Sequence, residues 1–319
     1  MNYLVTGAAG FIGARFLESL KARGIHAISV DSAAYFKERT EHRGIDSGQI
    51  IDRDELFSRL DRLPSLNAVI HLGACANTME MDVDYLNRVN VEYSKKLWNF
   101  CTEKKIPFVY ASSAATYGEG ENGYADDEDK MKSLKALNPY GNSKLVFDLW
   151  ALEEEKKGSH PPIWSGFKFF NVYGFGERHK GPMASVILHA YDQILKTGRV
   201  KLFRSHREGY KNGEQKRDFI AVEDVIDVLH FAIEKPIKRG IFNLGTGHAQ
   251  TFLDLANSVF QALAKTPAID FVDTPVSIRD KYQYFTEAKM EKLRARGYTK
   301  KFLNLAEGSE LYVKRLKNL

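Results

Sequence analysis

A short apolar run, Tyr3-Leu4-Val5, gives way to Gly7-Ala8-Ala9-Gly10-Phe11-Ile12-Gly13, and an amphipathic stretch follows at once to about Ala22. Strand, glycine loop and helix in that order constrain the fold more than any other feature of the chain. Gly7 allows the tight turn, Gly10 lets the backbone approach a pyrophosphate, and Gly13 lets helix and strand pack closely. The free amides and dipole of the helix start favour the phosphate charge. A purely structural turn is the alternative, and the strand–loop–helix context weighs against it.

Apolar runs and amphipathic stretches then alternate. Ala27–Val30 predicts a second strand ending at Asp31, Ala68–His71 another, and Phe108–Ser112 and Ile163–Phe170 two more. Helices are expected over Val83–Thr102 and Pro139–Lys156. This alternation implies an α/β fold, a doubly wound parallel sheet of the Rossmann kind. The second half is less regular. It predicts a glycine-rich loop over Asn171–Lys180, a helix over Met183–Lys196 and a loop over Glu208–Lys216. A strand over Arg217–Ala221, a helix over Glu223–Glu234 and a strand over Ile241–Leu244 follow. The division expected is a dinucleotide-binding part over 1–170 with a returning segment near 217–245. A smaller C-terminal substrate part would take 171–216 and 246–319. The acidic run Asp126–Asp129 reads as a solvated loop.

Composition narrows the class. At 319 residues, 44% hydrophobic and 27% charged, the chain is neither disordered nor fibrous. Two cysteines, Cys75 and Cys101, exclude a disulfide framework and a four-cysteine zinc site. No stretch reaches the roughly 20 apolar residues of a membrane span, and Met1–Gly7 is no secretory signal. The expectation is a cytoplasmic protein with no membrane and no nucleic-acid partner. Its net charge of +5 is spread along the chain, and a small anionic ligand accounts for it.

Three further features carry chemistry. Asp31 lies 18 residues beyond Gly13, where a carboxylate accepts ribose hydroxyls and favours NAD. Lys37 and Arg53 are cations able to pair with a 2′-phosphate, which favours NADP; both are equally readable as solvated surface charges. Tyr140 and Lys144 stand at i and i+4, on one face of the expected helix. A nearby ammonium would lower a phenol pKa that is otherwise near ~10, making Tyr140 a usable acid or base. Ser113 ends a strand on the ligand side of such a sheet and can bond a substrate oxygen, or simply cap the strand end.

These motifs, with Arg217-Asp218-Phe219-Ile220 through Asp224 and Asn243-Leu244-Gly245-Thr246-Gly247, resemble the extended short-chain dehydrogenase/reductase superfamily that modifies nucleotide sugars. Narrower runs are similar to its ADP-heptose 6-epimerase family. They are Ala111–Gly118, Phe170–Gly174, Glu177–Gly181 with Met183–Val186, and Tyr282–Thr286. The resemblance implies inversion of carbon 6 of an ADP-linked manno-heptose, D-glycero to L-glycero, by transient oxidation to an aldehyde with a tightly held nicotinamide cofactor. That reaction supplies heptose for lipopolysaccharide. It implies NADP, with NAD possible, an ADP-sugar substrate, a homo-oligomer and no metal. It carries the cofactor over to Gly7, Gly10, Phe11, Ile12, Gly13, Asp31, Ser32, Lys37, Arg53, Leu72, Gly73, Ala74, Cys75, Ala76, Asn90, Lys144 and Val172. It carries the substrate over to Ser113, Asn171, Lys180, His189, Phe203, Arg217 and Tyr282. Catalysis falls to Tyr140, Lys180, Ser113 and Lys144, with Tyr140 and Lys180 as two bases on opposite sides. Lys180 then needs a lowered pKa, which burial or a neighbouring cation would give, Arg178 and His179 being adjacent; the alternative makes it a pyrophosphate contact.

Departures from the family pattern are Leu72 where glutamate is expected, Pro182 where serine is expected, and a longer Phe203–Lys216 segment bordering the nucleotide. A 4,6-dehydratase needs an acid and a base where Ala114-Ala115 stand, which argues against elimination. A UDP-hexose 4-epimerase fits Ser113, Tyr140 and Lys144 but not the run from His179 to Val186. A non-enzymatic dinucleotide sensor needs none of the three together.

Overall fold

The computed structural model describes residues 1–235, 239–279 and 282–318, except the side chains of 277 and 278. Its centre is a seven-stranded parallel sheet. The strands are β1 (Asn2–Thr6), β2 (His26–Asp31), β3 (Gln49–Asp52), β4 (Ala68–His71), β5 (Phe108–Ser113) and β6 (Trp164–Phe169). A short β7 (Asn171–Tyr173), β8 (Val200–Phe203) and β9 (Lys216–Ala221) lie outside it, and β10 (Gly240–Leu244) completes it. The order is β10-β6-β5-β4-β1-β2-β3. Connections run outward in opposite directions from β1, so the crevice between β1 and β4 is the switch point where such sheets bind ligands. The doubly wound parallel sheet expected from the alternation is therefore present.

The strands form because they are buried on both faces. Leu4, Val5, Val69, Ile70, Phe108, Val109, Trp164, Phe167, Ile241 and Phe242 are all essentially inaccessible. The helix Phe11–Ala22 begins without any side-chain cap, and helix Pro139–Lys156 begins with Asn138 accepting from Gly141 N at 2.7 Å. Proline at the first helical position removes a donor that would have no partner there. Tyr140, Lys144 and Asp148 lie four residues apart on the buried face of that helix.

The helix expected over Val83–Thr102 is interrupted. Val83–Leu86 and Tyr93–Glu103 are α-helical, and Asn87–Glu92 is a π-helical turn with Asn90 and Val91 buried. The glycine-rich segment also holds more order than a loop. It contains β7, and a tight helical turn spans Arg178–Met183 with Gly181 at φ 54°.

A second apolar cluster gathers Ile187, Leu188 and Ile194 with Leu255, Val259, Phe260, Tyr312 and Val313, from the helices Val186–Thr197, Phe252–Ala262 and Leu305–Lys317. Beside it, β9 pairs parallel with β7 and antiparallel with β11 (Ala249–Thr251), while β8 pairs with β12 (Ile269–Val272). The helix Val222–Glu234 and the residues Ala288, Met290, Leu293, Tyr298 and Phe302 pack into the first core.

Asp126–Asp129 is not solvated throughout. Asp126 is 5% exposed and accepts from Asn243 N at 2.8 Å, and Glu128 accepts from Ile241 N at 2.9 Å and Lys292 Nζ at 2.6 Å. These carboxylates supply partners to the sheet's last edge, an assignment a charge run does not reveal. No helix among the described residues is long and apolar enough to cross a membrane.

Candidate active site

The glycine loop is shaped by backbone approach. Gly7 has φ +66°, and a Cβ there would lie 2.6 Å from Gly73 N. A Cβ on Gly13 would lie 2.1 Å from Gly7 O. No side chain fits between loop, helix and the segment after β4, so a backbone-lined cradle opens at the start of helix Phe11–Ala22. That cradle and its uncapped amides fit a dinucleotide pyrophosphate.

The floor of the cradle is a buried hydrogen-bond chain. His71 bridges Thr6 Oγ1 at 2.6 Å and Ser94 Oγ at 2.8 Å, and Gly73 N donates to Thr6 Oγ1 at 3.1 Å. Burial holds the imidazole down to about 3, with the Lys144 charge adding to the effect, so His71 stays neutral. Asn90 accepts from Cys75 N at 2.8 Å and donates to Cys75 O at 3.1 Å and Ser143 Oγ at 2.9 Å. It fixes the Leu72–Ala76 loop against the helix of Tyr140.

Asp31 closes the other side. It accepts from Ala9 N at 3.1 Å and Ser32 N at 2.9 Å. Burial raises its carboxyl, opposed by those amides and by Arg39 and Arg53. Arg39 was not singled out from the sequence. It donates to Ala9 O and its guanidinium lies 4.0 Å from the Tyr35 ring centroid. Arg53 is exposed and donates its N–H to Asp31 O at 3.1 Å, whereas Lys37 is exposed on the short helix Ala33–Glu38. Ser32 precedes that helix without capping it.

Ser113, Tyr140 and Lys144 converge at the end of β5. Ser113 Oγ accepts from Ala115 N at 3.1 Å, and Lys144 Nζ donates to Ala111 O at 3.0 Å. The structure differs here from the expected electrostatics. Burial pushes the Tyr140 phenol up, with the Ser113 side chain opposing the rise, and Lys144 does not figure among the causes. The ammonium is spent on a backbone carbonyl. Burial pushes Lys144 itself down to about 8. Beneath them lies a support the sequence did not disclose. Lys168 and Asp148 pair at 2.6 Å with neither side chain exposed, and Ser112 and Tyr110 donate to Asp148 at 2.7 Å and 3.0 Å.

Lys180 lies on the turn Arg178–Met183, with its Nζ 5.4 Å from the Phe11 ring centroid and 3.4 Å from Glu177 Oε2. It therefore overlooks the first residue of the cradle helix. The cations expected to act on it face elsewhere. Arg178 grips Asp192 through two bonds at 2.7 Å and 3.1 Å, and His179 Nδ1 stands 3.6 Å from Glu41. Glu177, not singled out before, is buried and accepts from Ser185 N at 2.8 Å and Ser185 Oγ at 2.5 Å.

Arg217 is 7% exposed and bonds the carbonyls of Lys216 and Gln283. Its guanidinium lies 5.6 Å from the Tyr282 ring centroid and 5.7 Å from that of Phe252. Burial lowers its pKa, and no carboxylate among the described residues bridges to it. Phe203 meets Tyr282 edge-on at 6.1 Å, and the longer segment after it is tied down by Tyr284, whose hydroxyl accepts from His206 N at 2.9 Å. Asn171 is exposed on β7, Val172 packs on the first core, and His189 is half-buried on helix Val186–Thr197. Asp218 of the Arg-Asp-Phe motif accepts from Thr246 N at 2.7 Å, Gly247 N at 2.9 Å and Ala288 N at 3.0 Å, which explains why the two motifs occur together.

Comparison with known proteins agrees with this geometry. The sequence model of the NAD dependent epimerase/dehydratase family matches residues 3–245. An ADP-L-glycero-D-manno-heptose-6-epimerase of Fusobacterium nucleatum is 45% identical over 97% of this chain and 96% of its own length. One from Brachyspira hyodysenteriae is 39% identical, over 98% and 97% respectively. The crystal structure of the Helicobacter pylori ADP-L-glycero-D-manno-heptose-6-epimerase superposes with a TM-score of 0.80 at 24% identity, over 100% and 96% of the two chains. UDP-glucose 4-epimerase of Thermus thermophilus, solved with NAD, does so with 0.78 at 25% identity, over 99% of each. The chain belongs to the NAD dependent epimerase/dehydratase family and, inside it, to the family of the ADP-L-glycero-D-manno-heptose-6-epimerases.

Proposed function

We propose that this chain inverts carbon 6 of an ADP-linked manno-heptose, D-glycero to L-glycero, for the supply of lipopolysaccharide heptose. The observation that supports it most is the near full-length likeness to the heptose epimerases together with a backbone-lined cradle beside a serine, tyrosine and lysine. When bound, the nicotinamide supplies a reversible hydride acceptor, so an alcohol carbon is oxidised and then reduced on its other face.

The residues have separate tasks. Gly7, Gly10 and Gly13 with the amides of Phe11 and Ile12 hold the pyrophosphate, and Asp31, Ser32, Arg39 and Arg53 face the adenosine ribose. Asp31 already accepts two backbone amides, and Arg39 and Arg53 act on it. That arrangement supports NADP over NAD. Leu72–Ala76, Asn90 and Val172 border the nicotinamide end. Ser113 holds the reacting hydroxyl, and Tyr140 takes or returns its proton on one side. Lys144, held on the Ala111 carbonyl, orders the ribose, and the Ser113 hydroxyl is the group that opposes the rise of the Tyr140 phenol. Lys180, paired with Glu177 and over Phe11, serves the opposite side, as the second base or, without help from Arg178 and His179, as a contact to the pyrophosphate. Arg217 grips the diphosphate between the Tyr282 and Phe252 rings, Phe203 borders the nucleotide, and Asn171 and His189 hold the sugar. The parts 1–170 with 217–245, and 171–216 with 246–319, then act as cofactor and substrate halves of a homo-oligomeric, cytoplasmic enzyme.

The test incubates purified chain with ADP-D-glycero-D-manno-heptose and no added cofactor, following carbon 6 by proton NMR. The L-glycero epimer is expected. No conversion, even with NADP and then NAD added, overturns the reading.

A further inference from the structure

Outside the proposed active site, one nitrogen from each of His42 and His179 and one carboxylate oxygen of Glu41 lie within 4.8 Å of one another. We propose that Glu41, His42 and His179 form a binding site for a zinc-class divalent transition metal, which ties the turn carrying Lys180 to the segment after β2.

Three of the cluster's polar atoms are buried with no hydrogen-bond partner among the described residues: Glu41 Oε1, His42 Nδ1 and His179 Nδ1, the last facing Glu41 Oε2 only at 3.6 Å. Unpartnered polar atoms are individually costly to bury, and three converging from two segments 138 residues apart need a common explanation. The surroundings prepare them to ligate. His42 Nε2 is 3.0 Å from Gly176 O, so the ring donates there and leaves its Nδ1 lone pair free. A ligand imidazole commonly carries just such an outer bond to a carbonyl. Glu41 Oε2 accepts from His179 N at 3.2 Å, which orients the carboxylate and leaves Oε1 unoccupied. The two rings meet nearly edge to face, 5.3 Å apart at 77°, so their nitrogens approach from different directions.

Arg15 is the opposing group. A Cβ on Gly176 would meet Arg15 Nε at 3.2 Å and His42 Nε2 at 3.3 Å, so the guanidinium and the Nε2 corner of His42 flank the same glycine. Its charge disfavours any cation, and it disfavours most an ion held by charge alone. Calcium and magnesium need several oxygens, of which the cluster supplies few. Zinc, cobalt and nickel take imidazole nitrogen readily, and two imidazoles with one carboxylate leave a fourth position for water.

The test uses the full-length, tag-free chain, stripped with EDTA and titrated with Co²⁺ and then Zn²⁺. One Co²⁺ per chain with visible d–d bands, displaced by one Zn²⁺, is expected. Glu41→Gln and His42→Ala each weaken binding more than about 100-fold, beyond the effect of losing an outer partner. A His206→Ala control leaves it unchanged. In the unmutated chain, long-range ¹⁵N NMR shows zinc shifting Nδ1 of His42 while Nε2 keeps its proton, which removes any dependence on how variants fold. No saturable binding, binding unaltered in both variants, or a shift at Nε2 overturns the proposal.

Discussion

Lys144 Nζ donates to the carbonyl oxygen of Ala111 at 3.0 Å, joining the helix that carries Tyr140 to the strand that ends in Ser113. The bond ties together the elements that carry the two proposed reactive groups at the expense of stability, because it keeps an ammonium where water cannot reach it. Folded, Lys144 titrates at about 8 rather than 10.5. The unfolded chain binds the proton more readily across that interval, so stability rises with pH between these values and is flat below them. Lys144→Met removes the penalty. At pH 7 the variant is expected to be more stable than the parent by about 3–4 kcal/mol at most, the interval from 10.5 to about 8 counting ~1.4 kcal/mol per unit. The gap should close as pH approaches the ordinary lysine range. Denaturant melts across that pH range check it, and epimerase turnover should be lost throughout.

Tyr140→Phe removes the hydroxyl proposed to transfer the proton and leaves the buried ring in place. Turnover should fall by about 10²–10⁴-fold with the cofactor still retained. Absorbance of the purified variant and the NMR assay read both quantities. Because burial pushes the phenol up, the parent's kcat should climb as pH rises from neutral.

Gly13→Ala brings a methyl to within 2.1 Å of Gly7 O, a backbone atom that cannot swing aside. A loss of about 2–4 kcal/mol is expected, with the cofactor lost on gel filtration. Gly24→Ala is a control for steric fit, since a Cβ there meets nothing within 4 Å; its φ of +65° still carries strain.

Asp148→Asn leaves Lys168 buried without its counter-charge, a loss of about 3–5 kcal/mol. Replacing both, as Asp148→Leu with Lys168→Met, should recover much of that in chemical melts, because neither member of the pair is then left buried without the other.

Arg217→Met separates binding from chemistry. The guanidinium is buried among aromatic rings and backbone carbonyls, so the fold should be no less stable. KM for the ADP-sugar should rise at least about tenfold, in line with a lost charged contact of about 1.5–3 kcal/mol, with kcat changed little.

Local signals were legible in the sequence wherever the determinants were local. The helix Pro139–Lys156 was readable to the residue because its cap, its proline and its periodicity lie within a few positions of its start. The glycine loop was readable because strand, turn and helix adjoin. Arg39 escaped because Ala33–Glu38 is one short turn without a side-chain cap bond. The partners of Arg178 and His179 escaped for another reason. Asp192 lies on the next helix and Glu41 lies 138 residues earlier, and adjacency along the chain says nothing of either. The same holds for Asp126, whose partner Asn243 comes from the last strand of the sheet.

The π-helical turn at Asn87–Glu92 sets an angular phase. Ordinary helical winding advances about 100° per residue, and the wider turn absorbs one residue without advancing the rest. Deleting a single residue there would convert the segment to regular α-helix and rotate one flank against the other. Either Asn90 would swing away from Cys75 and Ser143, or Leu97, Trp98 and Cys101 would turn from the sheet. The wide turn thus lets one continuous rod aim a polar side chain at the cradle and an apolar stripe at the core, two directions that a uniform helix of this length could not serve at once.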